Sequence, residues 1–254
     1  MSKEIGPYPP SPGWLLRWPR QAFGLVIATP GTLIVFVVAV FCIGLLIGPF
    51  TLETQSQWMF ILMTAVGTTM ALPLVVHVHC GFLRADGYSA PTLRDIPALS
   101  RGGVRVMLPL SAAFMAFSLY LNPAIMSLWS GIPNFTETEM VFREGLRAVM
   151  NMHVTAVIVN PLWVALIASL GMGAQEARLT STQMMMRMTP FWIGIVGFTV
   201  LLMFRLLAMP PMIVLPVLYF FMAWSYVAAR EIFGGISGED ERRTKATPVE
   251  ARVS

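Results

Sequence analysis

A chain of 254 residues with 56% hydrophobic and only 12% charged residues carries about half the charge of an ordinary soluble domain. Its mean hydropathy of +0.69 and its long blocks without Asp, Glu, Lys or Arg exclude a water-soluble globule and point to a helical membrane protein. The net charge of +4 does not point to nucleic acid, because the basic residues flank the apolar blocks, where they set topology and meet anionic headgroups.

The first 30 residues form a cytoplasmic segment rich in proline (Pro7, Pro9, Pro10, Pro12, Pro19). Within it Trp14 to Phe23 alternates Trp and Leu with Arg at helical spacing, as an interfacial helix does. The apolar run Thr32–Phe50 is too long for a cleaved signal core and lacks a small-x-small site, so it reads as a retained span. A hydrocarbon core of about 30 Å needs roughly 20 helical residues. Six segments meet that need: 31–50, 58–82, 106–128, 148–172, 189–206 and 209–229. The fifth and sixth are separated only by Ala208-Met-Pro-Pro211, where the proline pair must break the helix. With the N-terminus inside, every one of the 17 lysines and arginines except Arg143, Arg147 and Arg205 falls on the cytoplasmic side, which supports an even number of spans. Cys42 and Cys80 then lie at different depths and do not pair.

Of the outer connections only Ser130 to Arg147 has substance, and its Thr136–Arg147 part reads as a short amphipathic helix at the outer interface. Two further cytoplasmic segments, Thr92–Arg101 and Ala174–Met188, read as interfacial helices. Pro73, Pro161 and Pro216 each fall inside a span that follows an outer connection. Three hairpins, each an interfacial helix, a straight span and a kinked span, would explain both regularities; prolines common to membrane helices generally explain them too. The tail 234–254 is polar and reads as a flexible cytoplasmic stretch, leaving 31–233 as the transmembrane domain.

Three stretches carry a resemblance: Phe23-Gly-Leu-Val-Ile-Ala-Thr-Pro30, Gln175–Gln183 leading to Thr189-Pro-Phe-Trp192, and Tyr226-Val-Ala-Ala-Arg-Glu-Ile-Phe-Gly234. With the hydropathy pattern around them, they resemble six-helix bacterial inner-membrane families of unknown function. The resemblance implies a six-span bundle in a bacterial inner membrane and names no catalytic residue.

Chemistry is sparse. His77-Val-His79-Cys80 offers soft ligands for Cu(I) or Zn(II), with His77 and Cys80 on one helical face and Met184, Met185, Met186 and Met188 on the same side of the membrane. The same residues also suit a plain bundle, as interfacial histidines and gap-filling methionines. His153 is expected near the outer end of the fourth span, away from that run. Asn160, before Pro161, is the polar residue expected at mid-depth, either lining a solute path through a kinked helix or bonding a neighbouring helix. The acidic residues, Glu144 among them, are expected at the membrane edges, and no Walker, dinucleotide, nucleophile-elbow or zinc-protease motif occurs.

The chain therefore reads as an all-α, polytopic bundle of six transmembrane helices in three hairpins with cytoplasmic interfacial helices, N-in and C-in, in a bacterial inner membrane. With no buried charge expected, the leading function is a non-enzymatic scaffold or accessory subunit of a larger membrane complex, with a membrane-protein partner or a second copy of itself. A permease-like transporter of an apolar or weakly polar solute through Asn160 and Pro161 is one alternative. Copper handling at His77 and Cys80 is another.

Overall fold

The computed structural model describes residues 10–52, 57–121, 137–159, 162–170, 174–187, 193–194, 197 and 209–233, and among them every regular element is an α-helix. Gly13, at φ 81°, turns the chain into α1 (Trp14–Ala28) through a left-handed geometry that glycine adopts without a Cβ clash. Trp18, Ala22 and Leu25, one helical stripe, are buried against the bundle, and Trp14 packs on Trp18 with ring centroids 4.7 Å apart. Leu16, Phe23 and Ile27, on the other side of α1, are exposed.

Thr29 leaves helical geometry and Pro30 opens α2 (Pro30–Leu52), at the first helical position where a missing N–H costs nothing. Then come α3 (Gln57–Ala85), α4 (Ile96–Leu121), α5 (Glu137–Val159), α6 (Trp163–Leu170), α7 (Ala174–Arg187) and α8 (Pro211–Ile232). Among the described residues three helices are long and apolar enough to cross a membrane: α2 over Pro30–Phe50, α3 over Trp58–Ala85, and α8. The Pro210–Pro211 pair starts α8, as the proline-break argument required.

Between helices in lipid there is little hydrophobic driving force, so close packing and polar contacts must hold the bundle. Small residues provide the approach. A Cβ on Gly81 would meet Thr32 at 2.6 Å and one on Gly67 would meet Ile47 at 2.7 Å, so α2 and α3 run antiparallel with glycine at both contacts. Leu72 of α3 and the Trp163 ring of α6 close over Gly103 of α4. Helices α2 and α5 touch backbone to backbone. A Cβ on Gly44 would lie 2.9 Å from the Val141 carbonyl carbon, and one on Gly145 would lie 2.8 Å from the Val40 carbonyl carbon. Phe41 and Phe142 flank this contact with centroids 4.7 Å apart.

An aromatic group joins α2, α3 and α8. Phe82 packs on Tyr219 (5.2 Å) and on Tyr226 (6.1 Å), and Phe36 packs on Tyr219 (5.7 Å). Such pairs contribute about 0.5–1.5 kcal/mol each beyond their burial. The Tyr219 hydroxyl lies 2.8 Å from Thr29 Oγ1, tying the α1–α2 junction to α8.

The N-terminal region is held by one carboxylate. Glu231, at the end of α8, accepts hydrogen bonds from Ser11 N (2.8 Å), Ser11 Oγ (2.5 Å), Arg17 (2.6 and 2.7 Å) and Trp18 Nε1 (2.6 Å). Beside it Arg230 pairs with Asp86, which also accepts from the Tyr226 hydroxyl at 3.1 Å. The clasp thus links α1, the end of α3 and the end of α8.

Several expectations change in the structure. Residues 137–147, expected as a separate helix at the outer interface, run without interruption into the residues that follow as the single helix α5. Thr92–Arg101 is not a separate helix either. Thr92 and Asp95 form a start signal, with Thr92 N and Oγ1 donating to Asp95 Oδ2 at 2.8 and 2.7 Å, and α4 begins at Ile96. The segment from Ala174 is helical, as expected, over α7. Nearly all of the expected fifth span, and the tail from 234, lie outside the described residues.

Candidate functional site

The site grows from a spacing. Glu144, Arg147, Asn151 and Thr155 follow one another by three, four and four residues, so they share one face of α5. All four point into protein, with relative exposures of 4, 4, 8 and 2%. Glu144 and Arg147 form an ion pair one turn apart, and the Arg147 guanidinium lies over the Phe60 ring of α3, 4.5 Å from its centroid. Asn151 Nδ2 donates to Met115 Sδ of α4 at 3.2 Å, a weak acceptor.

Across from this stripe α3 presents Phe60, Thr64, Gly67 and Thr68, again one helical face. Its orientation is fixed at two levels, by Arg147 over Phe60 and by Ala148 against the position a Cβ on Gly67 would take. Thr68 Oγ1 returns its hydrogen bond to the Thr64 carbonyl at 2.7 Å. Among the described residues Thr64 Oγ1 and Thr155 Oγ1 are buried with no hydrogen-bond partner. A buried hydroxyl without a partner costs about 1–3 kcal/mol. Ser111 of α4, fully buried, donates to the Leu108 carbonyl at 3.1 Å. The result is a polar seam between α3, α4 and α5.

The depth of the seam follows from Gly44. Eight residues separate it from the end of α2, about 12 Å at 1.5 Å per residue. Helix α2 is 23 residues long, about 34 Å, close to the thickness it must cross. If α2 spans, the Gly44–Gly145 contact, and with it the Glu144–Arg147 pair, lies inside the hydrocarbon layer. Ionisable groups at that depth are costly and mark functional positions in membrane proteins.

The sequence-derived candidates fare differently. Cys80 is fully buried, and one ring nitrogen of the half-buried His77 is buried without a partner. His79, between them, is spoken for: Nδ1 lies 2.8 Å from the Val75 carbonyl and Nε2 lies 3.1 Å from Ser225 Oγ of α8. His153, expected far from this run, stands within electrostatic reach of His79. Among the described residues no group of three or more His, Cys, Asp or Glu side chains could hold a metal ion, and of the methionines expected to join His77 and Cys80, Met188 and the side chains of Met184 and Met185 lie outside the described residues. Asn160 and Pro161 lie outside the described residues. Around them α5 stops at Val159 and α6 starts at Trp163, and Leu162 has a φ of 64°. That left-handed value costs a side-chain-bearing residue about 1–2 kcal/mol, so Leu162 itself is not helical.

Sequence reasoning missed the buried pair and the glycine contact. Both leave a signal in the chain. Val40-Phe-Cys-Ile-Gly-Leu45 and Val141-Phe-Arg-Glu-Gly-Leu146 repeat one pattern, and the two copies pack on each other through Phe41, Phe142, Gly44 and Gly145. No known family model matches the chain, and no curated protein or solved structure is significantly similar to it.

Proposed function

We propose that the chain is a non-enzymatic multi-pass protein of a bacterial inner membrane, with six spans and both ends in the cytoplasm, and that it lets a small weakly polar solute cross along the α3–α4–α5 seam. The observation that carries this reading is the buried stripe Glu144, Arg147, Asn151, Thr155 opposite Thr64. The scaffold reading drew its weight from a bundle without buried charge, and that premise does not survive Glu144 and Arg147. Broken helices and polar groups at membrane depth are the usual materials of a solute path, because irregular backbone is tolerated where it lines one. Osmotic swelling of proteoliposomes tests the reading. Glycerol or urea should enter them several-fold faster than protein-free vesicles; equal rates for both solutes would sink it.

One feature favours the accessory-subunit reading. Leu16, Phe23 and Ile27 leave an apolar face on α1 after its other face is buried. A stoichiometric protein retained on purification from the native membrane, and lost in Phe23→Glu, would favour that role.

A further inference from the structure

We propose that the Glu144–Arg147 pair, with Thr64 and Asn151, is a binding site for a small zwitterion of the α-amino acid class. The proposal rests on the solute-path reading and extends its substrates from weakly polar solutes to a doubly charged, net-neutral one. The argument begins with charge. Glu144 and Arg147 are buried together as a pair of zero net charge, under the Phe60 ring and beside the backbone contact of Gly44 with Gly145. An anion arriving alone would leave a net negative charge inside the bundle, and a cation alone would leave a positive one. Either costs several kcal/mol per uncompensated ion. A zwitterion exchanges partners without that cost: its carboxylate takes the place of Glu144 on Arg147, and its ammonium takes the place of Arg147 on Glu144. Arginine suits the carboxylate through its planar fork of donors.

The second observation is a hydroxyl. Among the described residues Thr64 Oγ1 is buried and unpartnered, and it lies on the α3 face opposite the α5 stripe that carries the ion pair and Asn151; Thr155 stands eight residues, about 12 Å, beyond Arg147 on that stripe, too far for one small ligand to reach both. A hydroxyl can donate to a carboxylate or accept from an ammonium, so a bound zwitterion would satisfy a group that the protein itself leaves idle. Asn151 gains as well, since a carboxylate oxygen is a far better acceptor than the Met115 thioether it now uses.

The experiment uses the full chain in proteoliposomes and follows glycine uptake beside glycolate, which lacks the ammonium, ethanolamine, which lacks the carboxylate, and glycerol. Glycine uptake should exceed that of protein-free vesicles and of the two singly charged analogues at least tenfold. The exchange Glu144→Arg with Arg147→Glu, which keeps the pair but reverses it, should cut glycine uptake at least tenfold. Thr64→Val, near-isosteric and free of any charge change, should slow it several-fold even if the exchanged pair fails to fold. Glycine uptake no faster than that of glycolate or ethanolamine, or untouched by Thr64→Val and the reversed pair, would overturn the proposal. Glycerol passing without glycine would overturn it and leave the weakly polar path standing, whereas no uptake of any of the four would remove both.

Discussion

Replacing Gly145 with alanine tests the packing argument most directly. The new Cβ would lie 2.8 Å from the Val40 carbonyl carbon and 3.1 Å from Gly44 N, and these are backbone atoms that no rotamer change can move. Ordinary contact starts at about 3.4 Å, so α2 and α5 must part by on the order of 1 Å. A radial gap of 0.5–1 Å forfeits about a quarter to a half of each dispersion contact, and this helix pair carries Phe41 on Phe142 as well as the glycines. Overpacking of this kind costs about 1–3 kcal/mol, against a helix-propensity gain of about 1 kcal/mol for Gly to Ala. The net expectation is a lower unfolding temperature in detergent, read by tryptophan fluorescence. Gly44→Ala should act alike, since its Cβ meets Val141 and Gly145 in the mirror arrangement. Gly24→Ala is the control: nothing lies within 4 Å of its Cβ, so only the propensity gain remains and stability should rise. If Gly145→Ala melts at or above wild type, as Gly24→Ala is expected to, α2 and α5 do not meet through these glycines and the reasoning fails.

The other predictions concern the Glu231 clasp and the start of α4. Glu231→Ala removes the common acceptor of Ser11, Arg17 and Trp18, so amide exchange across α1 should quicken at least tenfold while α3 stays protected; unchanged protection of α1 would contradict the clasp. Hydrogen bonds from the Thr92 hydroxyl and backbone N–H hold the Asp95 carboxyl below its ordinary range. A depressed pKa means the cap contributes above the unfolded value, about 3.9, and is lost as pH falls through the lower folded value. The first turn of α4 should therefore loosen below about pH 4 in wild type, and Asp95→Asn should remove that pH dependence of its amide exchange.

Much of the architecture could be read before any coordinates. The uninterrupted apolar blocks became α2, α3 and α8, the Pro210–Pro211 pair opened the last helix, and the Trp-rich stretch from Trp14 became an amphipathic helix. What escaped did so for one physical reason. Hydropathy averaged along a helix weighs all faces equally, so Glu144 and Arg147 looked like an outer rim flanking a span, and Asn151 and Thr155 went unnoticed inside it. Burial of Glu144 and Arg147 depends on a partner helix with a glycine at the right height, and Gly44 stands 101 positions earlier in the chain. His153 was set apart from His79 by counting depth along straight, independent spans. The described helix of His153 runs from Glu137 to Val159, through what was expected as an outer connection, which moves every depth along it. Asn160 and Pro161, the expected mid-depth candidates, lie outside the described residues.

The clasp at Glu231 has a consequence for assembly. Ser11 and its acceptor are 220 positions apart, and Arg17 and the same carboxylate 214. Chain growth at about 5–20 residues per second separates their synthesis by roughly ten to forty seconds. Over that interval the inward stripe of α1, with Trp18 at its centre, has no α8 to cover it, and the bilayer surface is the apolar phase at hand. Docking of α1 is then the closing event of biogenesis, a check that the last helix has inserted the right way round: only an α8 whose C-terminal end reaches the side that holds α1 can offer Glu231 to Arg17.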